Sequence, residues 1–471
     1  MKFFLNGEWQ DRDEPIEVIN PFDGSVIDTV PSASARDVDL ALEAAVDGAK
    51  IMAATTGYER FRILRKASDL LRERMEDLAL ILSSEEGKVL GEARFEIDRA
   101  IQTMEISGEE AKRLGGEVLP LDGGKDVRGK FGLTLREPCG VIAAVTPFNF
   151  PLNLVCHKVG PALAAGNSVV LKPASDTPLM ALKLVEILLD AGLHPLAISC
   201  LTGSGAAVGE GICTDPRVRK ITFTGSLEVG ERICQVAGAK KVTMEVGSNS
   251  PLIVLPDADM DFVAQSTSMT GYANAGQVCI STQRLIVQEE AHQPLMSALV
   301  PKIEAMTTGN QLEETVNVGP MVRERDAIRV ESWINEAVGD GAELVVGGNR
   351  DRANLQPALL DNASPGMRVC REELFGPAVA VVKVKDVNEA IEMANDSEFG
   401  LSAGIFTRDI DSAMRFAREV KSGNIHINWG PLWRTDAMPY GGMKGSGFGK
   451  EGPKYAIEEM TEMKTVVIHS R

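Results

Sequence analysis

The chain has 471 residues, of which 44% are hydrophobic and 25% are charged, and its formal net charge is −18. This length and composition are typical of a globular protein of about two to four domains. The negative charge argues against nucleic acid and anionic membranes as partners, because both bind through an excess of Lys and Arg.

Cysteine and histidine usage indicates a reduced protein without a metal site. The seven cysteines form no CxxC pair, and the five histidines show no ligand spacing. The N-terminus meets Trp9 and charged residues too early for a signal peptide, and no apolar run reaches the roughly 18 residues of a membrane helix. We therefore expect a cytoplasmic protein that does not enter a membrane.

In chain order, helical patterns come first, at residues 38–54 and 60–88. Farther along, short β-branched runs such as VIAAV (141–145) and SVVLK (168–172) alternate with segments of helical length. Runs that are apolar on both faces and separated by helices are typical of parallel sheets covered on both sides. The pattern predicts an α/β fold with at least two doubly wound sheets. The closing MKTVVIH (463–469) is a strand without a following helix, either a local edge or a strand lent to a partner subunit.

Two glycine-containing turns at neighbouring strand ends predict a phosphate-binding crevice. LTGSGAAVGEGI (201–212) follows an apolar strand and opens a helix, with the spacing GxGxxxG in place of the usual dinucleotide fingerprint. ITFTGSLEVGERI (221–233) repeats the layout. Either turn alone is also compatible with a plain strand-to-helix connection. Together they would form one crevice at the carboxyl edge of a sheet, where Lys172 could meet a ribose or a phosphate.

Three polar side chains each have a chemical and a structural interpretation. Asn149, in TPFNFP, offers an amide donor to an oxyanion, although Asn beside Pro also simply forms turns. Glu245 ends an apolar strand, where it is either paired structurally or a general base whose pKa burial raises. Cys279, in NAGQVCIST (274–282), is either a buried structural thiol or a nucleophile. A thiol, an amide donor, a carboxylate and a dinucleotide crevice together indicate oxidation of an aldehyde through a thioester.

With these residues in place, the chain resembles the aldehyde dehydrogenase superfamily, essentially from end to end. The motifs that carry the resemblance are TPFNFP (146–151), LKPAS (171–175), FTGS (223–226), MEVGSNSP (244–251), GQVCIST (276–282), EELFGP (372–377) and MPYGGMKGSGFGKEG (438–452). The resemblance implies two doubly wound, Rossmann-like α/β domains, a small β oligomerisation element, and homodimers or homotetramers. The implied divisions are a dinucleotide-binding domain at 1–117 and 138–246, a catalytic domain at 247–440, and the oligomerisation element at 118–137 and 456–471.

The resemblance also implies roles for single residues. Cys279 would attack the aldehyde carbon, and the Asn149 amide with the Cys279 backbone N–H would hold the oxyanion. Glu245 would activate the hydrolytic water, and Lys158 would support the site. Contacts to a bound NAD or NADP would come from Thr146, Pro147, Phe148, Lys172, Ser175, Gly205, Gly209, Phe223, Thr224, Gly225, Ser226, Glu373 and Phe375.

One departure from the family pattern bears on the cofactor. Relatives restricted to NAD often carry a glutamate three residues after the lysine, where this chain has Ser175. A glutamate there would hold both ribose hydroxyls and repel a 2′-phosphate, whereas serine leaves room for one. We therefore expect use of NADP, or of both cofactors.

A second departure bears on the substrate. His157 stands where relatives acting on apolar aldehydes carry an aromatic residue, and Arg434 lies in the expected substrate loop GPLWRTDAMPYGG (430–442), before Pro439. An arginine can bind a carboxylate, phosphate, phosphonate or sulfonate through two parallel hydrogen bonds. The alternative is that Arg434 forms an exposed surface pair with Asp436. We expect an anion-binding site of His157 and Arg434, with Asn153 and Tyr440 as further substrate contacts.

The expected function is therefore NAD(P)-dependent oxidation of a short polar, anionic aldehyde to its carboxylate, for example a sulfolactaldehyde, phosphonoacetaldehyde or lactaldehyde. Succinate semialdehyde and non-phosphorylating oxidation of glyceraldehyde 3-phosphate are alternatives. Acyl transfer to coenzyme A is a different enzyme class, and Glu245 argues against it because a hydrolytic base would waste the thioester. A non-catalytic binding protein would be favoured by loss of the thiol, the amide or the carboxylate, and all three are present.

Overall fold

The computed structural model describes residues 1–469. The last two residues of the expected oligomerisation element, 470 and 471, lie outside the described residues. The strands are β1 (Phe3–Leu5), β2 (Glu8–Gln10), β3 (Pro15–Ile19), β4 (Val26–Pro31), β5 (Val118–Leu119), β6 (Lys130–Pro138), β7 (Val141–Val145), β8 (Ser168–Lys172), β9 (Ile198–Cys200), β10 (Val218–Thr224), β11 (Lys241–Glu245), β12 (Pro251–Val254), β13 (Arg284–Gln288), β14 (Glu343–Val346), β15 (Arg350–Asp351), β16 (Asn354–Leu355), β17 (Ala358–Asp361), β18 (Ala378–Val384), β19 (Ser402–Phe406), β20 (Asn424–Ile427), β21 (Gly447–Phe448) and β22 (Thr461–His469).

The helices are α1 (Ala35–Ala53), α2 (Gly57–Glu73), α3 (Met75–Glu86), α4 (Leu90–Ala111), α5 (Asn153–Ala164), α6 (Leu179–Asp190), α7 (Glu210–Thr214), α8 (Leu227–Ala237), α9 (Met260–Tyr272), α10 (Glu289–Glu304), α11 (Glu324–Gly339), α12 (Arg368–Arg371), α13 (Val387–Asn395), α14 (Ile410–Glu419) and α15 (Pro453–Glu459). Local sequence explains the start of the first helix. Ser34 and Asp37 form a capping box, in which each side chain accepts a hydrogen bond from the backbone N–H of the other.

The first sheet has eight strands in the order β2-β1-β9-β8-β7-β10-β11-β21. Its five central strands, β9 to β11, run parallel. The chain enters this parallel part at β7, passes through β8 to β9, and then returns to the other side of β7 with β10. The strand order therefore reverses between β7 and β10, and ligands of such sheets bind at the carboxyl ends of the strands at this point.

The second sheet has seven strands in the order β14-β17-β18-β13-β12-β19-β20, all parallel except the edge strand β14. Strands β12 and β13 are buried over nearly their whole length, as expected for a parallel sheet covered on both faces. Two mainly parallel sheets alternate with helices, so the predicted α/β fold is confirmed.

A third, three-stranded sheet has the order β22-β6-β5. The closing strand β22 pairs antiparallel with β6 over nine residues, from Thr461 opposite Pro138 to His469 opposite Lys130. Just before it, helix α15 carries Ile457 into the hydrophobic core of the first sheet. The expected boundary at residue 456 falls inside this helix, which packs against α4 and α5.

Each large sheet has its own core. The buried apolar residues around the first sheet come from residues 3–246, together with Ile457 and Met460. Those around the second sheet form two clusters that come from residues 252–420. Within residues 1–469, no helix combines the length and the apolar character needed to cross a membrane.

Candidate active site

Cys279 lies in a loop between α9 and β13, after a strained turn. Asn274, Ala275 and Gly276 take left-handed conformations, with φ of 51°, 53° and 68°. Residues other than glycine rarely adopt this conformation, so surrounding contacts must hold the turn. A Cβ at position 276 would lie 2.0 Å from the carbonyl oxygen of Gly376, so only glycine fits there. The strained backbone of residues 274–276 therefore fixes the position of the segment that leads to Cys279.

Buried acids of the α3–α4 region hold this turn. The backbone N–H of Asn274 donates to the carboxylate of Glu92 at 3.0 and 3.1 Å. Its side-chain amide donates to Glu86 Oε1 at 2.8 Å and to the carbonyl oxygen of Asn149 at 3.2 Å. Lys88 Nζ donates to the same carbonyl at 2.8 Å. The turn before Cys279 and the loop of Asn149 are therefore held by one connected set of hydrogen bonds.

The side-chain amide of Asn149 faces the same loop. Its Nδ2 donates to the carbonyl oxygen of Gln277 at 2.8 Å, two residues before Cys279. Its Oδ1 is buried and has no hydrogen-bond partner among residues 1–469. Because an amide nitrogen carries two hydrogens, one N–H remains beyond the bond to Gln277. The Asn149 amide is therefore held beside the loop of Cys279, and its second N–H remains available to donate a hydrogen bond.

Glu245, at the end of β11, is a buried carboxyl without a partner. Neither of its oxygens has a hydrogen-bond partner in the described part of the chain. Burial, followed by the negative charge of Glu451, raises the pKa of Glu245 well above its usual range. A Cβ at Gly441 would lie 2.6 Å from Oε1, so the carboxyl stands against the bare backbone of the glycine loop. A carboxyl with a raised pKa is suited to act as a general base near neutral pH.

Lys158 and Arg434 share one buried carboxylate. Lys158 Nζ donates to Glu451 Oε1 at 2.8 Å and to Thr224 Oγ1 at 2.7 Å. Both terminal nitrogens of Arg434 donate to Glu451 Oε2 at 3.3 Å. The three charged side chains are each at most 6% exposed. Although burial opposes it, the charges of Lys158 and Arg434 lower the pKa of Glu451 to about 2.

The ionic contacts continue from Arg434 to helix α4. Arg434 Nη2 lies 3.1 Å from the ring nitrogens of His157, whose Nε2 lies 2.7 Å from Asp436 Oδ1. Arg99 Nη2 and Asn153 Nδ2 donate to the same Oδ1 at 2.7 and 3.2 Å. We call the connected ionisable side chains the buried ionic chain; in order they are Lys158, Glu451, Arg434, His157, Asp436 and Arg99.

The buried ionic chain carries one positive charge in excess. Burial, followed by the charge of Arg434, lowers the pKa of His157 to about 4, so this imidazole is neutral. Although burial opposes it, the hydrogen bonds from His157 and Arg99 hold the pKa of Asp436 far below its usual range. Three cations therefore face two carboxylates. Arg434 Nε is also buried without a partner in the described residues, so its guanidinium has a donor unused.

These contacts exclude the surface-pair interpretation of Arg434. Asp436 is 2% exposed and is bound by Arg99 and His157. Arg434 is bound by Glu451 instead. The interpretation was wrong because it considered only neighbours in sequence, whereas the partners of Asp436 lie 279 and 337 residues away along the chain.

The thiol of Cys279 meets the remaining expected substrate residue, Tyr440. The Tyr440 hydroxyl lies 3.2 Å from Sγ. The guanidinium of Arg434 stacks on the face of the Tyr440 ring, with Cζ 4.0 Å from the ring centroid. Burial raises the pKa of the Cys279 thiol to about 12. Arg434, in the interior of the buried ionic chain, is thus connected to the thiol through one aromatic ring.

The crevice between β7 and β10 is lined by residues expected to bind a cofactor. Thr146, Pro147 and Phe148 follow β7, and the Oγ1 of Thr146 is buried without a partner in residues 1–469. After β10, the N–H of Gly225 donates to the carbonyl oxygen of Glu245 at 3.1 Å. Phe223 lies beneath this turn, because a Cβ at Gly225 would meet its ring at 2.5 Å. The Thr146 hydroxyl is available to a ligand, and the absence of a side chain at Gly225 allows a ligand to approach the backbone there.

Ser226 is the N-cap residue of α8, yet its side chain makes no capping hydrogen bond. The backbone N–H groups at the start of a helix attract phosphate. Because the Ser226 side chain does not accept a hydrogen bond from them, these groups remain available to a ligand. This turn belongs to ITFTGSLEVGERI, which predicted such a site. The helix start and the Gly225 backbone are thus suited to a pyrophosphate.

Lys172, at the carboxyl end of β8, adds a cation to the crevice. Its Nζ donates to the carbonyl oxygen of Pro173 at 2.9 Å, and burial lowers its pKa to about 8. A Cβ at Gly209 would lie 4.0 Å from Lys172 Cδ, so the Gly205–Gly209 π-helical turn borders the lysine. Ser175 Oγ donates to the carbonyl oxygen of Gly203 at 2.9 Å. A buried ammonium with a single carbonyl acceptor fits the ribose hydroxyls of a dinucleotide.

Glu373 and Phe375 approach the crevice from the second sheet. Glu373 Oε1 accepts a hydrogen bond from the backbone N–H of Ser248 at 3.0 Å, and burial raises its pKa to about 7. Phe375 has a left-handed φ of 48° and meets Phe148 edge to face, with ring centroids 5.8 Å apart. This ring pair is therefore one of the contacts between the two halves of the molecule, together with the hydrogen bond of Asn149 to Gln277.

Several supporting residues were not identified from the sequence. Glu451 is the clearest case, although it stands within the motif MPYGGMKGSGFGKEG. An acid that interrupts a glycine-rich segment could have been noticed there. Glu86, Lys88 and Glu92 lie in an ordinary charged helical pattern, so sequence gives no sign that they are buried under the thiol loop.

Known proteins are similar to this chain over nearly its whole length. The sequence profile of the aldehyde dehydrogenase family matches residues 9–466. The 3-sulfolactaldehyde dehydrogenase of Priestia aryabhattai is 46% identical over 466 residues, which cover 99% of this chain and 97% of that protein.

Solved structures are similar over nearly the whole chain. Aldehyde dehydrogenase 21 from Physcomitrella patens, in complex with the reaction product succinate, has a TM-score of 0.96 and 39% identity, covering 99% of this chain and 98% of that one. NADP-dependent glyceraldehyde-3-phosphate dehydrogenase from Bacillus halodurans C-125, complexed with NADP, has a TM-score of 0.97 and 36% identity, covering 100% and 99%.

The shared carboxylate of Glu451 leads to a stability prediction. We expect Glu451→Gln to lower the free energy of unfolding by about 3 kcal/mol or more, because it leaves two buried cations without their counter-charge. The midpoint of urea unfolding at fixed protein concentration measures this. Glu419→Gln, which removes the exposed partner of Arg415, is the matched control and should barely move the midpoint. Equal shifts in the two variants would contradict a structural role for the buried pair.

Proposed function

The chain belongs to the aldehyde dehydrogenase family and is an NAD(P)-dependent enzyme that oxidises aldehydes, and on this basis we propose that its substrate is a short anionic aldehyde. The leading candidate is 3-sulfolactaldehyde, with 3-sulfolactate as the product. The observation that carries the proposal is the positive charge in excess in the buried ionic chain near Cys279.

An excess buried charge is costly unless a partner neutralises it. The protein as a whole has a net charge of −18, so its general field repels anions and a local cation is needed to bind one. Arg434 has an unused buried N–H, and it reaches the thiol through Tyr440. A substrate with one negative charge a few bonds from its aldehyde would supply the missing counter-charge.

A sulfonate has the required charge and several acceptor oxygens, and it stays ionised at any physiological pH. The 46% identity with a 3-sulfolactaldehyde dehydrogenase supports this choice. Succinate semialdehyde is the second candidate, because the relative from Physcomitrella patens was solved in complex with succinate. Both molecules are anionic aldehydes, so Arg434 would bind either through its guanidinium.

In the mechanism that we propose, Cys279 adds to the aldehyde carbon as a thiolate and forms a thiohemiacetal. The spare N–H of Asn149 and the backbone N–H of Cys279 stabilise the oxyanion. A bound NAD or NADP supplies the acceptor for the hydride that leaves this carbon. Glu245 then takes a proton from water, which adds to the resulting thioester and releases the acid and the thiolate. Lys158 would act on Glu245 through Glu451, because it binds the Glu451 carboxylate, whose charge raises the pKa of Glu245.

For the cofactor, Lys172 would bind the adenosine ribose, and Gly225 with Ser226 would approach the pyrophosphate. Glu373 would hold the nicotinamide ribose, and Phe375 would lie beside that ring. Ser175 adds no negative charge near the ribose, so we propose that NADP is accepted at least as well as NAD. The ratio of kcat/KM for the two cofactors measures this preference, and a ratio strongly in favour of NAD would contradict it.

We further propose that the enzyme is a homodimer or homotetramer that forms through β22. This strand is paired only on its β6 side in the described residues, and Met463 and Ile468 on it are 61% and 53% exposed. An open strand edge with apolar side chains is rarely left without a partner. Light scattering of the purified protein gives the copy number, and a monomer at micromolar concentration would contradict the proposal.

We also infer a cytoplasmic location, which the seven free cysteines support, since reducing compartments keep thiols unpaired. Because four of the seven cysteines are buried in the folded chain, the test is to quench cells with acid and to label the thiols of the denatured protein. Seven labelled cysteines are expected, and a disulfide would contradict the location.

Arg434 gives the test of the substrate. We expect Arg434→Met to raise KM for 3-sulfolactaldehyde by about 10- to 100-fold, because charge-assisted hydrogen bonds to the anion are lost. KM for propanal, which carries no charge, should change by less than about threefold on the same argument. Steady-state assays of both aldehydes, with succinate semialdehyde and glyceraldehyde 3-phosphate in the same panel, measure the effect.

Arg434→Lys is the matched control, since it keeps the positive charge but lacks the planar fork. We expect it to retain part of the preference for the anionic aldehydes. An equal rise in KM for propanal and for the anions would remove Arg434 from anion recognition. Dependence of turnover on added coenzyme A would favour the acylating alternative.

Glu245 gives the test of the hydrolytic step. We expect Glu245→Gln to retain a rapid burst of one reduced nicotinamide per site and to lower the steady-state rate about 100-fold or more, because general base catalysis of thioester hydrolysis is lost. Stopped-flow absorbance at the nicotinamide band resolves the two phases. In the unchanged enzyme, the steady-state rate should rise with pH as the raised pKa of Glu245 is passed. Loss of the burst itself would contradict the assignment of Glu245 to hydrolysis.

A further inference from the structure

The hydroxyl of Tyr440 is placed against the reacting atom of the enzyme. It lies 3.2 Å from Cys279 Sγ, within the range of hydrogen bonds to sulfur, and this thiol is its one hydrogen-bond partner among residues 1–469. Tyr440 is 4% exposed, so water does not readily replace the thiol as a partner. A buried hydroxyl normally has a partner, and here that partner is the nucleophile.

The position of this hydroxyl is fixed from three sides. The backbone N–H of Tyr440 donates to the carbonyl oxygen of Glu451 at 3.1 Å, and the N–H of Glu451 donates back at 2.7 Å. The ring packs with Val278 and Ile280, the neighbours of Cys279 in sequence. The guanidinium of Arg434 covers one face of the ring, 4.0 Å from its centroid.

We propose that Tyr440 is a catalytic residue whose hydroxyl donates a hydrogen bond to Cys279 Sγ and stabilises the thiolate that attacks the aldehyde. The inference rests on the proposed role of Cys279 as the nucleophile, and it does not depend on which aldehyde is the substrate. The phenolic proton stays on oxygen throughout, so Tyr440 acts as a donor and not as an acid or a base.

The electrostatics of the site give the reason for such a donor. Burial disfavours the thiolate, and the nearby carboxyls of Glu373 and Glu245 disfavour it further. The hydrogen bond of Tyr440 and the charge of Arg434 are the influences that favour it. A cation stacked on a phenol ring withdraws electron density, which makes the hydroxyl a stronger donor. Arg434 therefore acts on the thiol mainly through the ring that separates them.

The test is the pH dependence of Cys279 alkylation by iodoacetamide, with the Cys279 peptide quantified by mass spectrometry. Tyr440→Phe removes the hydroxyl and keeps the ring under Arg434. We expect its alkylation rate to fall about 3- to 10-fold at pH values below the thiol pKa, and the inflection of the profile to move to higher pH. The fall is smaller than the loss of thiolate, because a more basic thiolate is more nucleophilic. Below the pKa, loss of thiolate lowers the rate by one factor at every pH, so the inflection is the deciding observation, and a merely structural hydroxyl would leave it in place.

Two controls come from the same chain. Cys234 is exposed, and its alkylation in the same samples should be identical in both proteins. Tyr272→Phe removes another buried hydroxyl, which donates to the carbonyl oxygen of Ala358 at 3.0 Å, and should leave the Cys279 profile unchanged. Melting temperature and circular dichroism check that the Tyr440→Phe protein is folded.

Arg434→Gln provides a second variant in which the hydroxyl remains. A smaller fall in the Cys279 alkylation rate in Arg434→Gln than in Tyr440→Phe supports the proposal. A fall in Arg434→Gln with no fall in Tyr440→Phe overturns it. An unchanged inflection in Tyr440→Phe also overturns it. The reagent is neutral and no aldehyde is present, so these outcomes are separate from those of the substrate panel. Loss of all activity in Cys279→Ser tests the nucleophile itself.

Discussion

The carboxylate of Glu451 is the interaction on which the rest of the site depends. It binds Lys158 from helix α5 and Arg434 from the substrate loop, and all three side chains are buried. The backbone of the same residue pairs with Tyr440, which contacts the thiol. Glu451 thus connects the proposed nucleophile, the expected anion-binding arginine and, through Lys158, the strand end that carries Thr224. Breaking such a connection leaves two buried cations without the carboxylate that they share.

The same carboxylate controls the state of its neighbour Glu245. Two acids that face each other in a buried site cannot both ionise readily, and the one with the better partners keeps the charge. Glu451 has two cations, whereas Glu245 has no hydrogen-bond partner within the described residues. Glu245 therefore remains neutral until a proton acceptor or a change in local charge favours its ionisation. The unequal environments of the two acids provide one structural carboxylate and one that can exchange a proton with water.

Sequence predicts the parts of this enzyme that depend on local pattern. The parallel strands are recognisable because VIAAV and SVVLK are apolar on both faces, and the glycine turns are recognisable from the conformations that they allow. Cys279, Asn149 and Glu245 could be singled out because each is conspicuous in its own motif. Glu451 and Asp436 could not be paired correctly, because their partners lie 293 and 337 residues away in the chain. Burial of a charge is a property of the assembled fold, and local sequence does not report it.

The excess charge of the buried ionic chain connects stability with specificity. A fully neutralised set of side chains would favour the empty site and would gain nothing from an anion. An uncompensated cation costs stability in the empty enzyme, and part of that cost is recovered when a negatively charged substrate binds. Because Arg434 also stacks on Tyr440, the arriving anion lies close to the group that contacts the thiol. One arginine and one ring therefore link the proposed anion site to the thiol, and an uncharged aldehyde of the same length would lose the charge-assisted binding to Arg434.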